Sequence, residues 1–270
     1  MVKELEPFYD IHGNERRCGS LILPDGFVCA FPSIEASGID IWNAATRRKV
    51  LTDPGRIPAR KTFGPKWVQN QRTKGSCNGY AEAGGYSKAR YRRGIMDGKL
   101  FSGAFAYGLM NGGRDQGSQL QDGLKNLELV GIAEEQYADW DDIYPSLWKS
   151  GARENAALHK GIVCYAAETI DGLKTGLCKG FIAIVAVHAG NNFQRISKSG
   201  IAGIDYGPGN HAVHCDDLCI VGNREVFDMQ NSWGIEYGAE GRAYLHEDSF
   251  AGTFKNHTFY LIGSTEEGGE

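Results

Sequence analysis

Gln71-Arg72-Thr73-Lys74-Gly75-Ser76-Cys77, followed by residues that suit a helix from Asn78 to about Arg93, is the stretch from which the rest of the chain can be read. A thiol is a poor nucleophile until it ionises, and a free one is only a few per cent thiolate at neutral pH. The first turn of a helix presents unpaired N–H groups and the positive end of the dipole, both of which favour the thiolate. Gly75 and Ser76 are small, so the chain can turn sharply there and another chain can approach. Gln71 stands shortly before Cys77, where its amide N–H can reach an oxyanion developing beside the sulfur. One such donor is worth about 3–4 kcal/mol in a transition state.

A nucleophilic thiolate also needs a proton carrier. Asn210-His211-Ala212-Val213 opens a strand-like run, and Gln230-Asn231-Ser232-Trp233-Gly234 follows after one more strand. Adjacent strands set His211 beside Asn231, whose amide oxygen can accept from the imidazole N–H and fix the ring's tautomer and direction. Trp233 is placed to shield that bond from water, where it is stronger. His211, His214, Cys215 and Cys219 look superficially like zinc ligands. Neighbouring side chains on a strand, such as His214 and Cys215, point to opposite faces, so neither a metal nor an organic cofactor is expected.

Outward from these motifs, the 270 residues sit where one core tends to split in two, so one two-lobed domain and two small domains are both allowed. A formal net charge of -4 gives no electrostatic reason to expect nucleic acid or an anionic membrane as partner. Met1 to Pro7 carries no secretory pattern, and the longest apolar stretch, Phe181–Val187, is strand-sized. Seven cysteines, an odd number without regular spacing, are read as mostly reduced, which points to a cytoplasmic setting.

Residues 1–55 read as β and loop, with a hairpin signal at Ser20–Phe31 around Pro24-Asp25-Gly26. Residues 52–66 have the composition of an extended connector. Gly84 and Gly85 in the first helix suggest close packing against another backbone. Leu120, Leu124, Leu127 and Val130 recur at helical spacing, with Gly131 as the stop. A short helix is expected in 168–179. Strands are expected at Phe181–His188, Ala212–Val221, Arg224–Met229, Arg242–Leu245 and Thr258–Ile262. The basic run Lys88, Arg90, Arg92 and Arg93 reads as a solvated helix face. Helices first and strands second predict an α+β protein, with a helical lobe, a β lobe and a cleft between them.

Taken together, these motifs resemble the papain family of cysteine peptidases. Gln71, Gly75-Ser76-Cys77, His211-Ala212-Val213 and Asn231-Ser232-Trp233-Gly234 match that family's elements in order, and Tyr237, Gly238 and Gly241 fit those that follow. Asp115-Gln116-Gly117 resembles its glycine-bearing cleft loop, so Gly117 is expected to contact an extended peptide. The similarity spans roughly 58–263. It implies a papain-like two-lobed fold with an antiparallel β lobe. Cys77, His211, Asn231 and Gln71 would be catalytic, and Gly75, Ser76, Gly117, Asn210 and Trp233 would line the substrate.

The departures are specific. Asn78 stands where the family usually has Trp, and Lys74 where a disulfide cysteine is common. In place of a helical propeptide there is a β-rich 1–55 segment, expected to be a docking or occluding element before a peptidase domain at 56–270. The style is closer to bacterial and phage members than to lysosomal ones. The expected activity is peptide-bond hydrolysis through a thioester, with a polypeptide substrate. The alternatives are an amidase or peptidoglycan-type hydrolase with the same triad, and a virion-associated structural component attached through 1–55.

Overall fold

The computed structural model describes residues 5–24, 26–255 and 257–265. The first half holds β1 (Pro7–Tyr9), β2 (Glu15–Arg17), α1 (Ala44–Leu51), the one-turn α2 (Ala59–Thr62), α3 (Cys77–Arg92), α4 (Gly103–Asn111) and α5 (Leu120–Leu129). Then come α6 (Ala152–Leu158), β3 (Ile162–Ala167), α7 (Ile170–Cys178), β4 (Ile182–Val187) and the one-turn α8 (Asn191–Gln194). The chain finishes with β5 (His211–Val221), β6 (Arg224–Gln230), β7 (Arg242–Leu245) and β8 (Phe259–Ser264). Strands β3 to β8 form one sheet in the order β3-β8-β4-β5-β6-β7, each neighbouring pair antiparallel. The hairpin β1–β2 stands apart from it. The architecture is α+β, as the residue pattern predicts.

Helix α3 is buried from Cys77 to Arg90, so it is the axis of the molecule rather than a surface element. Gly79 lets it cross α4: a Cβ there would lie 2.2 Å from the carbonyl oxygen of Gly103. Gly84 and Gly85 do mark close packing, but against side chains of the sheet and not a backbone. A Cβ on each would meet the His214 ring at 2.6 Å and the Ile184 Cδ1 at 2.8 Å. On α5, Leu120, Leu124 and Leu127 are all buried, each contributing roughly 2 kcal/mol by leaving water. The stripe ends where Gly131 adopts φ +93°.

Further expectations fail. Residues 1–55 are not only β and loop: Ala44–Leu51 form α1, capped by Asn43 accepting from Thr46 N, and the connector 52–66 includes the one-turn α2. No strand forms in the described part of Ser20–Phe31 (Asp25 lies outside the described residues); Ser20 instead makes an isolated parallel bridge to Ser118. The backbone groups that a hairpin would pair are taken by another part of the chain. The basic run is also not a solvated face, except at Arg93, which is exposed. Lys88 is 0% exposed and Arg90 4%, and Arg92 donates to the carbonyls of Gly180, Phe181 and Asp216. Among the described residues no helix is long and apolar enough to cross a membrane.

Candidate active site

Cys77 is the first residue of α3 and is fully buried. Its thiol is acted on by the backbone N–H groups of Cys77 and Asn78, as a helix start dictates, and by that of Ala212, the residue after His211 on β5. The strand carrying the candidate base therefore runs directly past the sulfur. His211 Nε2 lies 2.8 Å from Asn231 Oδ1, while His211 Nδ1 is buried with no hydrogen-bond partner. With the proton on Nε2 donated to Asn231, the lone pair of Nδ1 is left to take a proton.

Aromatic rings enclose that bond. Trp233 stacks at 4.7 Å from the His211 ring, and Phe193 lies 5.7 Å away. Phe193 and Tyr237 pack in turn on Trp233. Trp233 follows from the sequence, whereas Phe193 belongs to α8, a turn with no periodic signal. Excluding water from an N–H···O bond in this way strengthens it and holds the ring's direction.

Gln71 joins the two lobes. Its backbone N–H donates to Ser232 O at 2.8 Å, and its Oε1 accepts from Ser232 Oγ at 2.5 Å. Its Nε2 is thereby turned outward, donating to Lys74 O and Arg17 O. On the opposite wall, Gly75 N donates to Asp115 Oδ1, and Gly117 N to Tyr107 Oη. Asn78 donates to Ser118 O and Ser118 Oγ at 2.6 and 2.8 Å. Asn78, where the family has Trp, thus pins the glycine loop to the start of the nucleophile helix. Tyr107, on α4, and Asp115, in the loop after it, do the same. Ser76 is buried and caps no helical N–H through its side chain.

The groove is filled by the chain itself. Arg17 O accepts from Gln71 Nε2 at 3.1 Å, and Gly19 N donates to Cys77 Sγ at 3.3 Å. Ser20 N then donates to Asn210 O, Ser118 N to Gly19 O, and Leu21 N to Ser118 O. Gly19 passes so close to Gly75 that a Cβ would stand 1.9 Å from the Gly75 carbonyl oxygen. Upstream, the buried guanidinium of Arg16 donates to Trp233 O (2.9 Å), Asn70 Oδ1 (2.8 Å) and Asp10 (3.0 Å). The segment offers the sulfur an N–H donor, while the carbonyl held by Gln71 belongs to a residue two positions earlier. Beside the segment, a pocket of about 490 Å³ stays open next to Cys18, Ser20, Gln116 and Asn210.

Burial decides the charge state. Desolvation pushes the Cys77 thiol up to about 11, although the backbone donors of Ala212, Gly19, Asn78 and Cys77 pull the other way. Desolvation likewise pulls His211 down to about 4, against the Asn231 bond and aided by the Arg16 charge. Both shifts favour the neutral thiol and imidazole while the site is buried, and so oppose the thiolate expected at this helix start. All seven cysteines are free thiols. His214 points at Lys88 rather than toward Cys219, and no group of His, Cys, Asp or Glu among the described residues could hold a metal ion.

No protein-family model and no curated protein sequence matches the chain. Its fold is that of the papain-like cysteine proteases, as solved structures establish. Among them is xylellain, a cysteine protease from Xylella fastidiosa, at 19% identity over 93% of this chain and 98% of that one, with a TM-score of 0.67. Bromelain from Ananas comosus is 20% identical over 73% of this chain and 93% of its own, with a TM-score of 0.53. Procathepsin L 3 from Tenebrio molitor is 14% identical over 73% and 66%, with a TM-score of 0.60.

Proposed function

We propose that this chain is a cysteine endopeptidase held in an occluded form, with residues 1–55 as the occluding element and 56–270 as the peptidase domain. Cys77 is the nucleophile, His211 the base and acid, Asn231 its orienting partner and Gln71 an oxyanion donor. The observation that carries this reading is that Gln71 Nε2 already binds a peptide carbonyl oxygen, that of Arg17, two residues before the Gly19 N–H that donates to Cys77 Sγ. An extended polypeptide lying between Ser118 and Asn210 favours a polypeptide substrate over a glycan-linked amide.

With the segment displaced, water reaches the pair and the desolvation that keeps it neutral falls away. His211 Nδ1 takes the thiol proton, and the thiolate attacks the substrate carbonyl carbon. Gln71 Nε2 and the Cys77 N–H receive the oxyanion. The imidazolium returns its proton to the leaving amine as the C–N bond breaks. Water, deprotonated by His211, then hydrolyses the thioester and frees the acid. Gly75, Gly117, Asn210 and Trp233 line the groove in this reading, with Ser76 behind them.

The test compares wild type with Cys77→Ala on a casein-like polypeptide and on purified cell wall across pH. Cleavage of the polypeptide that vanishes in Cys77→Ala supports the reading. Solubilisation of cell wall alone would instead make the chain a peptidoglycan hydrolase. Activity surviving in Cys77→Ala would remove Cys77 from the chemistry.

A further inference from the structure

The polar cluster behind the site is unused by that mechanism, and its geometry is specific. Lys88, on α3, is fully buried and donates to Asp216 Oδ2 and to Gln230 Oε1 at 2.6 Å, with Nζ 2.9 Å from His214 Nε2. Arg242, from β7, donates to both oxygens of Asp216, to Asp228 Oδ1 at 3.1 Å and to Gln230 Oε1 at 3.3 Å. Asp216 and Asp228 are 0% exposed, and the Phe63 ring lies 5.3 Å from the ammonium. The β5–β6 ladder slips between Cys215 and Asp217, and the residue left over is Asp216. A bulge of this kind re-aims a side chain.

The members of the cluster sit one step from the proposed catalytic set. Lys88 is in the helix that begins at Cys77. His214 shares β5 with His211, Gln230 directly precedes Asn231, and Arg242 follows Gly241, whose carbonyl accepts from Asn231 N at 2.9 Å. Elsewhere α3 meets the sheet through Gly84 and Gly85 against His214, Ile182, Ile184 and Ile262. Apolar contacts tolerate a small slide, whereas an ammonium shared among three acceptors on two strands does not. A buried ion cluster is also a poor source of stability, since well-packed apolar residues often do as well.

We propose that Lys88, through Asp216, Gln230 and His214, is a positioning residue that fixes the sheet bearing His211 and Asn231 against the helix bearing Cys77. This rests on the reading of those three residues as the catalytic set. Its readout needs no turnover: the proton held between His211 Nε2 and Asn231 is followed by NMR in the full chain, assigned by its loss in His211→Gln. Exchange of that proton with solvent is measured in wild type, Lys88→Met, Asp216→Asn, Lys88→Arg and, as a core control away from the cluster, Leu127→Ala.

Lys88→Met and Asp216→Asn are expected to speed exchange about tenfold, within the range that network residues exert at a distance. Lys88→Arg, which keeps a charged donor, stays near wild type, and Leu127→Ala lowers Tm without moving the signal. The proposal is overturned if either Lys88→Met or Asp216→Asn, when folded, exchanges at the wild-type rate. It is equally overturned if Leu127→Ala speeds exchange as much at a matched loss of Tm. Failure of the peptidase assay and failure of this test are separate results, because the exchange rate is read without substrate.

Discussion

Gly19→Val turns the occluding segment against itself. Five hydrogen bonds hold residues 17–21 in the groove: Gln71 to Arg17, Gly19 to Cys77, Ser20 to Asn210, Ser118 to Gly19 and Leu21 to Ser118. At about 1 kcal/mol net each, they favour the closed form by about 5 kcal/mol, more than three powers of ten. A Cβ on residue 19 would stand 1.9 Å from Gly75 O, an overlap with backbone that no rotamer relieves, so the closed form is lost outright. The wild-type sulfur, 0% exposed, reacts only through its open fraction. Iodoacetamide labelling of Cys77 at pH 7, read by mass spectrometry on the intact chain, should therefore accelerate about a thousandfold in Gly19→Val. A folded Gly19→Val protein labelling at the wild-type rate would refute the occlusion argument.

Two further predictions concern stability against pH. Glu82 is buried in α3 with neither carboxyl oxygen hydrogen-bonded, and desolvation, with Asp122 adding to it, raises its pKa well above the usual carboxylate range. A raised acid costs stability as pH climbs past its unfolded value, about 4.3. Glu82→Gln should thus match wild type near pH 4 and be about 1–3 kcal/mol more stable at pH 7; a difference that does not change with pH would disprove it. For His211 the sign reverses. Its folded pKa of about 4 lies below the unfolded value near 6.5, so the unfolded chain binds more protons between the two, and stability rises with pH over that window by up to roughly 3 kcal/mol. His211→Gln should lose this limb in thermal melts between pH 4 and 6.5, and equal slopes in the two proteins would show the shift to be wrong.

What could be read in advance was whatever depends on local pattern. The leucine spacing of α5, the apolar run of β4 and the short strands after it are written in consecutive residues, and the structure keeps them to within a residue or two. Asn231 beside His211 followed because two adjacent strands fix a register. Helix α4 escaped: it opens Gly103-Ala104-Phe105-Ala106-Tyr107-Gly108, with glycines that weaken a helix in isolation and that sit where a Cβ would meet Tyr80 and the Ile143 carbonyl. Lys88 escaped for a related reason. A charged residue on a helix reads as solvated unless its partners are known, and those, Asp216 and His214 on β5 and Gln230 on β6, lie more than a hundred residues on. The path of residues 17–21 escaped because its partners, Gln71 and Cys77, Ser118, and Asn210, belong to three separate segments, while the local Pro-Asp-Gly pattern argued for a hairpin.

That path has a consequence for how the site would switch on. The occluding segment does more than fill space: Phe8 packs on Trp233 at 5.3 Å, and Arg16 donates to the Trp233 carbonyl while its charge disfavours imidazolium at His211. Burial and the Arg16 charge act in one direction, toward a neutral pair. The Gly19 N–H acts the other way, together with those of Ala212, Asn78 and Cys77, since a donor at the sulfur favours thiolate, and desolvation outweighs them. Withdrawing the segment therefore removes a blocking chain and a positive charge in one movement, and admits water to both partners. The gain in reactivity at Cys77 then has two sources, access and ionisation, which iodoacetamide kinetics can separate. Access multiplies the rate equally at every pH, whereas ionisation moves the midpoint of the pH–rate curve down from about 11.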